Sequence, residues 1–382
     1  MKSVKSFALF IWLLASGSSC GVFAQIPGSF TFEGINRTYT VYVPSTYIQG
    51  DHLPLLFALH GLTQTGNIMM QFTGFNTYAE QYRFIVVYPD GISNTWNVGF
   101  TGGTTTNDVG FLSALIDTLH QQYGIDLGRV YSTGFSNGGF MSYRLACELG
   151  NRIAAIAPVA GTMTDAAFGT CTPSRNIPVM HIHGTSDYVV SYNGGFGNKS
   201  VDEVLGLWRN FNICPANAVI VNLPDLVLEG STVQTQTWSP CVDSTEVLLY
   251  KVINGGHTWP GSVGVTGVGI TNRDIIASEE IWKFVSRFSL DLATGMTQKI
   301  TKANIRIYPN PSDGGEIAFG FTPMNQPATL DIFNAAGHHL AAMMVPSGSG
   351  RIILEAGRLK RGIYLVRLHN EKFNHTMKLI VR

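Results

Sequence analysis

The chain has 382 residues, 45% of them hydrophobic and 13% charged, and its formal net charge is zero. That length accommodates one large domain and a smaller one. With no basic stripe and no acidic block, the balance argues against nucleic-acid binding and against a disordered charged tail; low charge with 42 Gly fits an extracellular protein.

Residues 1–24 read as a signal peptide. Lys2 and Lys5 give the positive start, Phe7 to Ala15 the apolar core, and Val22-Phe23-Ala24 a cleavage site before Gln25. Cys20 raises a lipoprotein alternative, but Gly17-Ser18-Ser19 lacks the Leu expected three positions before a lipidated cysteine. The apolar run is too short for a comfortable membrane span, so stable membrane insertion is not expected. Without Cys20, four cysteines remain and allow three pairings. Export favours disulfides, and the sequence-local set, Cys147 with Cys171 and Cys214 with Cys241, closes short loops. Metal binding is the poorer reading, because no two cysteines have C-x-x-C spacing and no His adjoins them.

Residues 29–47 alternate polar and apolar positions, as in an antiparallel edge hairpin. Six apolar runs of buried-strand length follow, at 53–59, 84–88, 129–133, 153–160, 178–183 and 247–253. Helical patterns fall at 76–82, 108–123, 139–149, 201–211 and 272–288. This alternation predicts an α/β fold with a mostly parallel sheet covered by helices on both faces. Such sheets carry their sites at the C-terminal ends of the strands. The catalytic domain is expected over 25–292 and a polar linker over 293–304. The short strands of 305–382 predict a small all-β sandwich.

Gly134-Phe-Ser136-Asn-Gly138 has the G-x-S-x-G pattern between a predicted strand and a predicted helix, the context of a nucleophile elbow. A serine nucleophile needs a base and an acid that orients it. His257 follows a strand in the loop Gly255-Gly-His-Thr-Trp-Pro-Gly261, whereas His181 and His183 alternate on one face of a buried strand. Asp187 lies just past that strand; Asp225 and Asp243 are rivals in loops, and Asp202 and Glu203 look like helix-start charges. The expected triad is Ser136, Asp187 and His257. Its oxyanion hole would use the N–H groups of Asn137 and Leu62, with Thr63 as the alternative to Leu62. His60 precedes the serine in the chain, so it is expected to shape the loop rather than act as base.

Residues 25–290 resemble the polyhydroxybutyrate depolymerase and feruloyl esterase group of α/β-hydrolases, which overlaps carbohydrate esterase family one. The matching motifs are Leu59-His-Gly61, Gly134-Phe-Ser-Asn-Gly-Gly139, Ala157-Pro-Val-Ala-Gly161, His181-Ile-His-Gly-Thr-Ser-Asp187 and Gly256-His-Thr-Trp-Pro-Gly261. The resemblance implies the same three catalytic residues. One departure is Leu62, where many relatives have Cys. The tail resembles a type IX secretion sorting domain, through Ile307-Tyr-Pro-Asn-Pro311, Leu330-Asp-Ile-Phe-Asn334 and Gly362-Ile-Tyr-Leu-Val-Arg367. That implies the type IX machinery as a partner, and a secreted or surface-attached product. A substrate-binding module is the alternative, weakened by the lack of Trp after Trp282.

The implied chemistry is ester hydrolysis through an acyl-enzyme, needing no metal or organic cofactor. Trp96, Tyr188 and Trp259 adjoin the motif loops and are candidates to stack on an aromatic acyl group, packing being their ordinary use. Glycine-rich segments at 97–106 and 193–198 suit an open cleft for an ester-bearing polymer. Feruloyl or acetyl esters of plant polysaccharide are the first expectation and polyhydroxyalkanoate or another polyester the second. A serine peptidase and a non-catalytic surface binding protein are the rivals from other classes.

Overall fold

The computed structural model describes residues 24–290 and 306–382, except 196, 264–267, 314, 321–326, 335–337, 350, 356–358 and 371–373. The expected signal segment through Phe23 and the linker at 293–304 lie outside the described residues. The chain divides into two compact units between Asp291 and Leu292.

The first unit opens with a hairpin, β1 (Ala24–Phe32) and β2 (Ile35–Val43), then β3 (Leu55–Leu59), α1 (Gly66–Thr73), α2 (Phe75–Tyr82) and β4 (Ile85–Pro89). It continues with α3 (Asp108–Tyr123), β5 (Val130–Phe135), α4 (Asn137–Glu148), β6 (Ala155–Val159), α5 (Asp165–Thr170) and β7 (Val179–Gly184). It closes with α6 (Val201–Phe211), β8 (Val219–Asn222), β9 (Thr232–Trp238), β10 (Val247–Ile253) and α7 (Ala277–Val285). One sheet takes the order β1-β2-β4-β3-β5-β6-β7-β10-β9-β8. The six central strands are parallel, and the outer pairs at each edge run antiparallel.

The central strands are apolar on both faces because both faces are covered. Leu55, Phe57 and Leu59 of β3 enter one core cluster, and Leu56 and Ala58 enter the other. Helix α6 shows how local sequence sets an element. Val201, Val204, Leu205 and Trp208 recur at helical spacing and are the buried residues of its inner face. Ser200 and Glu203 form a reciprocal capping box at its start, a device contributing about 1 kcal/mol. Asp202 and Glu203 therefore serve the helix terminus, as their position in the sequence suggests.

The edge strands β8 and β9 and the short helices α1 and α5 are additions to the sequence-based expectation. In β9 the run Thr-Val-Gln-Thr-Gln-Thr-Trp is mostly half-buried, and every residue of β8 is exposed. β9 lacks the continuous apolar signal of a central strand, whereas Val219-Ile220-Val221 of β8 is a short apolar run left exposed at the sheet edge.

Both sequence-local disulfides are formed, Cys147 with Cys171 and Cys214 with Cys241. The first joins the last turn of α4 to the end of α5, and so braces the helix that begins beside Ser136.

The second unit contains β11 (Arg306–Tyr308), β12 (Glu316–Gly320), β13 (Ala328–Asn334), β14 (His339–Val345), β15 (Arg351–Glu355), β16 (Gly362–His369) and β17 (Asn374–Val381). They form antiparallel sheets of order β11-β12-β15 and β14-β13-β16-β17. Ile317 and Phe319 of the first sheet share a core with Leu330, Ile332, Val366 and Leu379 of the second. This is the expected sandwich, with β14 added.

Replacing Cys147 and Cys171 together by Ser should lower the unfolding free energy of the first unit by about 3 kcal/mol, the loop-closure contribution of a loop of that length. Urea denaturation followed by tryptophan fluorescence measures it. An unchanged midpoint would show that the bridge leaves stability unaffected.

Candidate active site

Ser136, Asp187 and His257 come from the C-terminal ends of three of the central parallel strands: β5, β7 and β10. Ser136 sits between β5 and α4 at φ 54° and ψ −118°, a conformation rare for a residue with a side chain. The turn is tight enough to exclude side chains around it. A Cβ on Gly134 would collide with the carbonyl of Gly138, and one on Gly138 would collide with the carbonyl of Leu59. The second contact puts the N-terminus of α4 directly against the end of β3 and the loop that follows it.

His257 and Asp187 are joined by an Nδ1 to Oδ2 hydrogen bond of 2.7 Å, and both side chains are buried. The other carboxylate oxygen of Asp187 accepts the backbone N–H groups of Val189 at 2.9 Å and Val190 at 2.8 Å. Asp187 therefore closes its own turn with one oxygen and orients the imidazole with the other. Burial pushes its pKa up, but hydrogen bonds from His183 and His257 outweigh this and hold the carboxyl well below its ordinary range. It stays ionised throughout the range in which a histidine base works.

The ring of Phe135 lies 4.8 Å from that of His257, centroid to centroid. Ser136 follows Phe135, so the serine and the imidazole are neighbours in the fold. The hydroxyl of Ser136 has no hydrogen-bond partner among the described residues. Catalytic hydrogen bonds of unliganded enzymes are often long and tighten when substrate binds.

The N–H groups expected to face an oxyanion differ in their commitments. That of Thr63 donates to Asn94 O at 2.8 Å, whereas those of Leu62 and Asn137 have no acceptor among the described residues. Asn137 is the first residue of α4, where an N–H has no partner within the helix.

His60 is fully buried and holds this loop. Its Nδ1–H donates to Gly61 O at 2.7 Å, and its Nε2 accepts the N–H of Gly91 at 2.9 Å. Burial lowers its pKa and keeps it neutral. The Asn137 side chain does work that the sequence reading missed: its Oδ1 accepts Trp96 N–H at 2.7 Å and the Thr95 hydroxyl at 3.3 Å. The next segment is pinned from elsewhere. Arg37 and Asp108 form a buried 2.8 Å ion pair, and Asp108 also accepts the N–H of Asn97 at 2.7 Å.

Two of the three aromatic candidates are corrected. Trp96 is 1% exposed, donates its indole N–H to His60 O at 3.0 Å and packs beside the His60 ring. Trp259 is also 1% exposed; its indole N–H donates to Ser278 Oγ at 3.0 Å and its ring packs against Phe75. A buried indole needs an acceptor for its N–H, and both found one inside the fold, so neither offers a face to substrate. Tyr188 is 65% exposed. Two further exposed apolar side chains, Leu62 and Phe100, lie on loops at the same end of the sheet.

Residues 37–201 match the family described as esterase PHB depolymerase, and residues 306–382 match the secretion system C-terminal sorting domain. A bifunctional acetylxylan esterase/xylanase from Neocallimastix patriciarum is 32% identical across 74% of this chain, which spans only 38% of that protein's length. Feruloyl esterase D of Neurospora crassa is 28% identical across 72% of this chain and 91% of that protein. A probable feruloyl esterase C of Aspergillus flavus is 31% identical across 65% of this chain and 83% of that protein. Among solved structures, an acetyl xylan esterase from Aspergillus awamori aligns with a TM-score of 0.48 and 17% identity, over 68% of this chain and 99% of that one. No helix among the described residues is long and apolar enough to cross a membrane. With over 30% identity across most of a feruloyl esterase C, the chain belongs to that family of carboxylic ester hydrolases, and it carries a type IX sorting domain that directs it out of the cell.

Proposed function

We propose that this enzyme hydrolyses feruloyl or acetyl esters on plant polysaccharide with Ser136 as nucleophile, His257 as base and Asp187 as the acid that orients it. The observation that carries the reading is the buried Asp187–His257 hydrogen bond at strand ends beside a strained serine turn. In the first half-reaction His257 Nε2 takes the proton of Ser136 as its oxygen attacks the ester carbonyl. Asp187 holds the Nδ1–H tautomer and stabilises the imidazolium. The N–H groups of Leu62 and Asn137, without an acceptor among the described residues, receive the developing oxyanion, worth roughly 3–4 kcal/mol per donor in comparable sites. His257 returns the proton to the leaving alcohol. In the second half it activates a water that releases the acid and frees Ser136.

Support for the acyl side comes from exposed apolar side chains on the surrounding loops: Leu62 at 58%, Tyr188 at 65% and Phe100 at 39%. They offer surface to a flat aromatic acid, a role the buried Trp96 and Trp259 do not fill. The relatives named for feruloyl and acetylxylan esters favour the same substrate class. Polyester cleavage is the second reading, favoured by the match to the esterase PHB depolymerase family.

Ser136→Ala should abolish turnover of p-nitrophenyl acetate with the circular dichroism spectrum unchanged, and Asp187→Asn should lower kcat by about 10⁴-fold; retained turnover in Ser136→Ala would refute the triad. Methyl ferulate and acetylated xylan should be cleaved with higher kcat/KM than a hydroxybutyrate oligomer. The reverse order would favour the polyester reading.

A further inference from the structure

Behind Asp187 runs a chain of buried polar groups that the triad chemistry does not use. His183 Nε2 lies 2.8 Å from Val190 O and 3.4 Å from Asp187 Oδ2. His183 Nδ1 lies 3.0 Å from His181 Nε2, and His181 Nδ1 lies 2.8 Å from the Tyr143 hydroxyl. All three side chains are at most 1% exposed.

One atom fixes the first proton of the chain. A carbonyl oxygen only accepts, so His183 Nε2 must carry a proton. Where His183 Nδ1 accepts, His181 donates to it from Nε2. Burial holds His181 neutral, with its pKa well below the ordinary value, so its Nδ1 accepts. Tyr143, whose ionisation burial suppresses, supplies the final O–H. In that arrangement each group has one proton position consistent with its neighbours.

Val190 links this chain to the acid. Its carbonyl accepts from His183, while its N–H donates to Asp187 Oδ1. His183 therefore grips Asp187 twice, weakly at Oδ2 and more firmly through the Val190 backbone.

We propose that His183 is a positioning residue of the esterase reaction: backed by the hydrogen-bonded pair His181 and Tyr143, it fixes the turn and the carboxylate rotation that aim Asp187 Oδ2 at His257 Nδ1. This rests on the triad reading given above. Loss of the grip would leave substrate binding intact and misalign the base.

The test uses the full chain and methyl ferulate, with Ser136→Ala as reference. His183→Leu should lower kcat about 10-fold, equivalent to about 1.4 kcal/mol, with KM within about twofold. His183→Gln, which retains an N–H donor, should recover most of the loss. Tyr143→Phe removes one oxygen at constant shape. It should lower kcat in the same direction and shift the far-downfield proton NMR resonance of His257 Nδ1–H. A folded His183→Leu with wild-type kcat would overturn the proposal, as would His183→Gln falling as far as His183→Leu. If His183→Leu does not fold, Tyr143→Phe decides: an unmoved resonance and unchanged kcat overturn the proposal. Activity surviving in Ser136→Ala would overturn the triad reading itself. Loss of activity there, with His183 variants unaffected, would overturn this inference alone.

Discussion

The catalytic unit depends on a close approach of two backbones. The carbonyl of Leu59 occupies the space that any side chain at position 138 would need. Helix α4 can begin there only with glycine at that position, and the turn before it leaves Ser136 at positive φ. The same proximity brings the N–H of Asn137, which has no acceptor among the described residues, to the loop that carries Leu62. The proposed nucleophile and oxyanion sites thus follow from one steric fact rather than from two separately built sites.

A ring of polar contacts keeps that approach in place. Asn137 receives Trp96 N–H, the Trp96 indole donates to His60 O, and His60 receives the N–H of Gly91. The Arg37–Asp108 pair anchors the adjoining Asn97 from the far side. Removing one partner of such a buried pair leaves an uncompensated charge, generally a cost of several kcal/mol. The order of the site is therefore tied to the stability of the unit and shared with residues far from the serine in sequence.

Much of this arrangement was legible in the residues. The central strands announce themselves because burial on both faces demands unbroken apolar runs such as Leu55 to Leu59. Chain order singled out Asp187 and His257, which the fold brings within hydrogen-bond distance. Strand β9 stayed hidden because an edge strand keeps Gln and Thr on a half-wet surface. Trp96 and Trp259 were misjudged for a different reason: adjacency to a motif does not reveal which way an indole turns. The alternation of His181 and His183 was visible, but its meaning required Tyr143 and Val190, which no spacing rule brings to them.

The two imidazoles at the heart of the site behave in opposite ways. In the proposed mechanism His257 gains and loses a proton in every turnover. His60 has both ring nitrogens committed, and a second ring proton would point at the N–H of Gly91. It stays neutral and takes no part in the proton transfers proposed for His257. The loop bearing Leu62 is thus braced by a ring whose charge does not change, a fixed electrostatic frame beside the charge proposed to move.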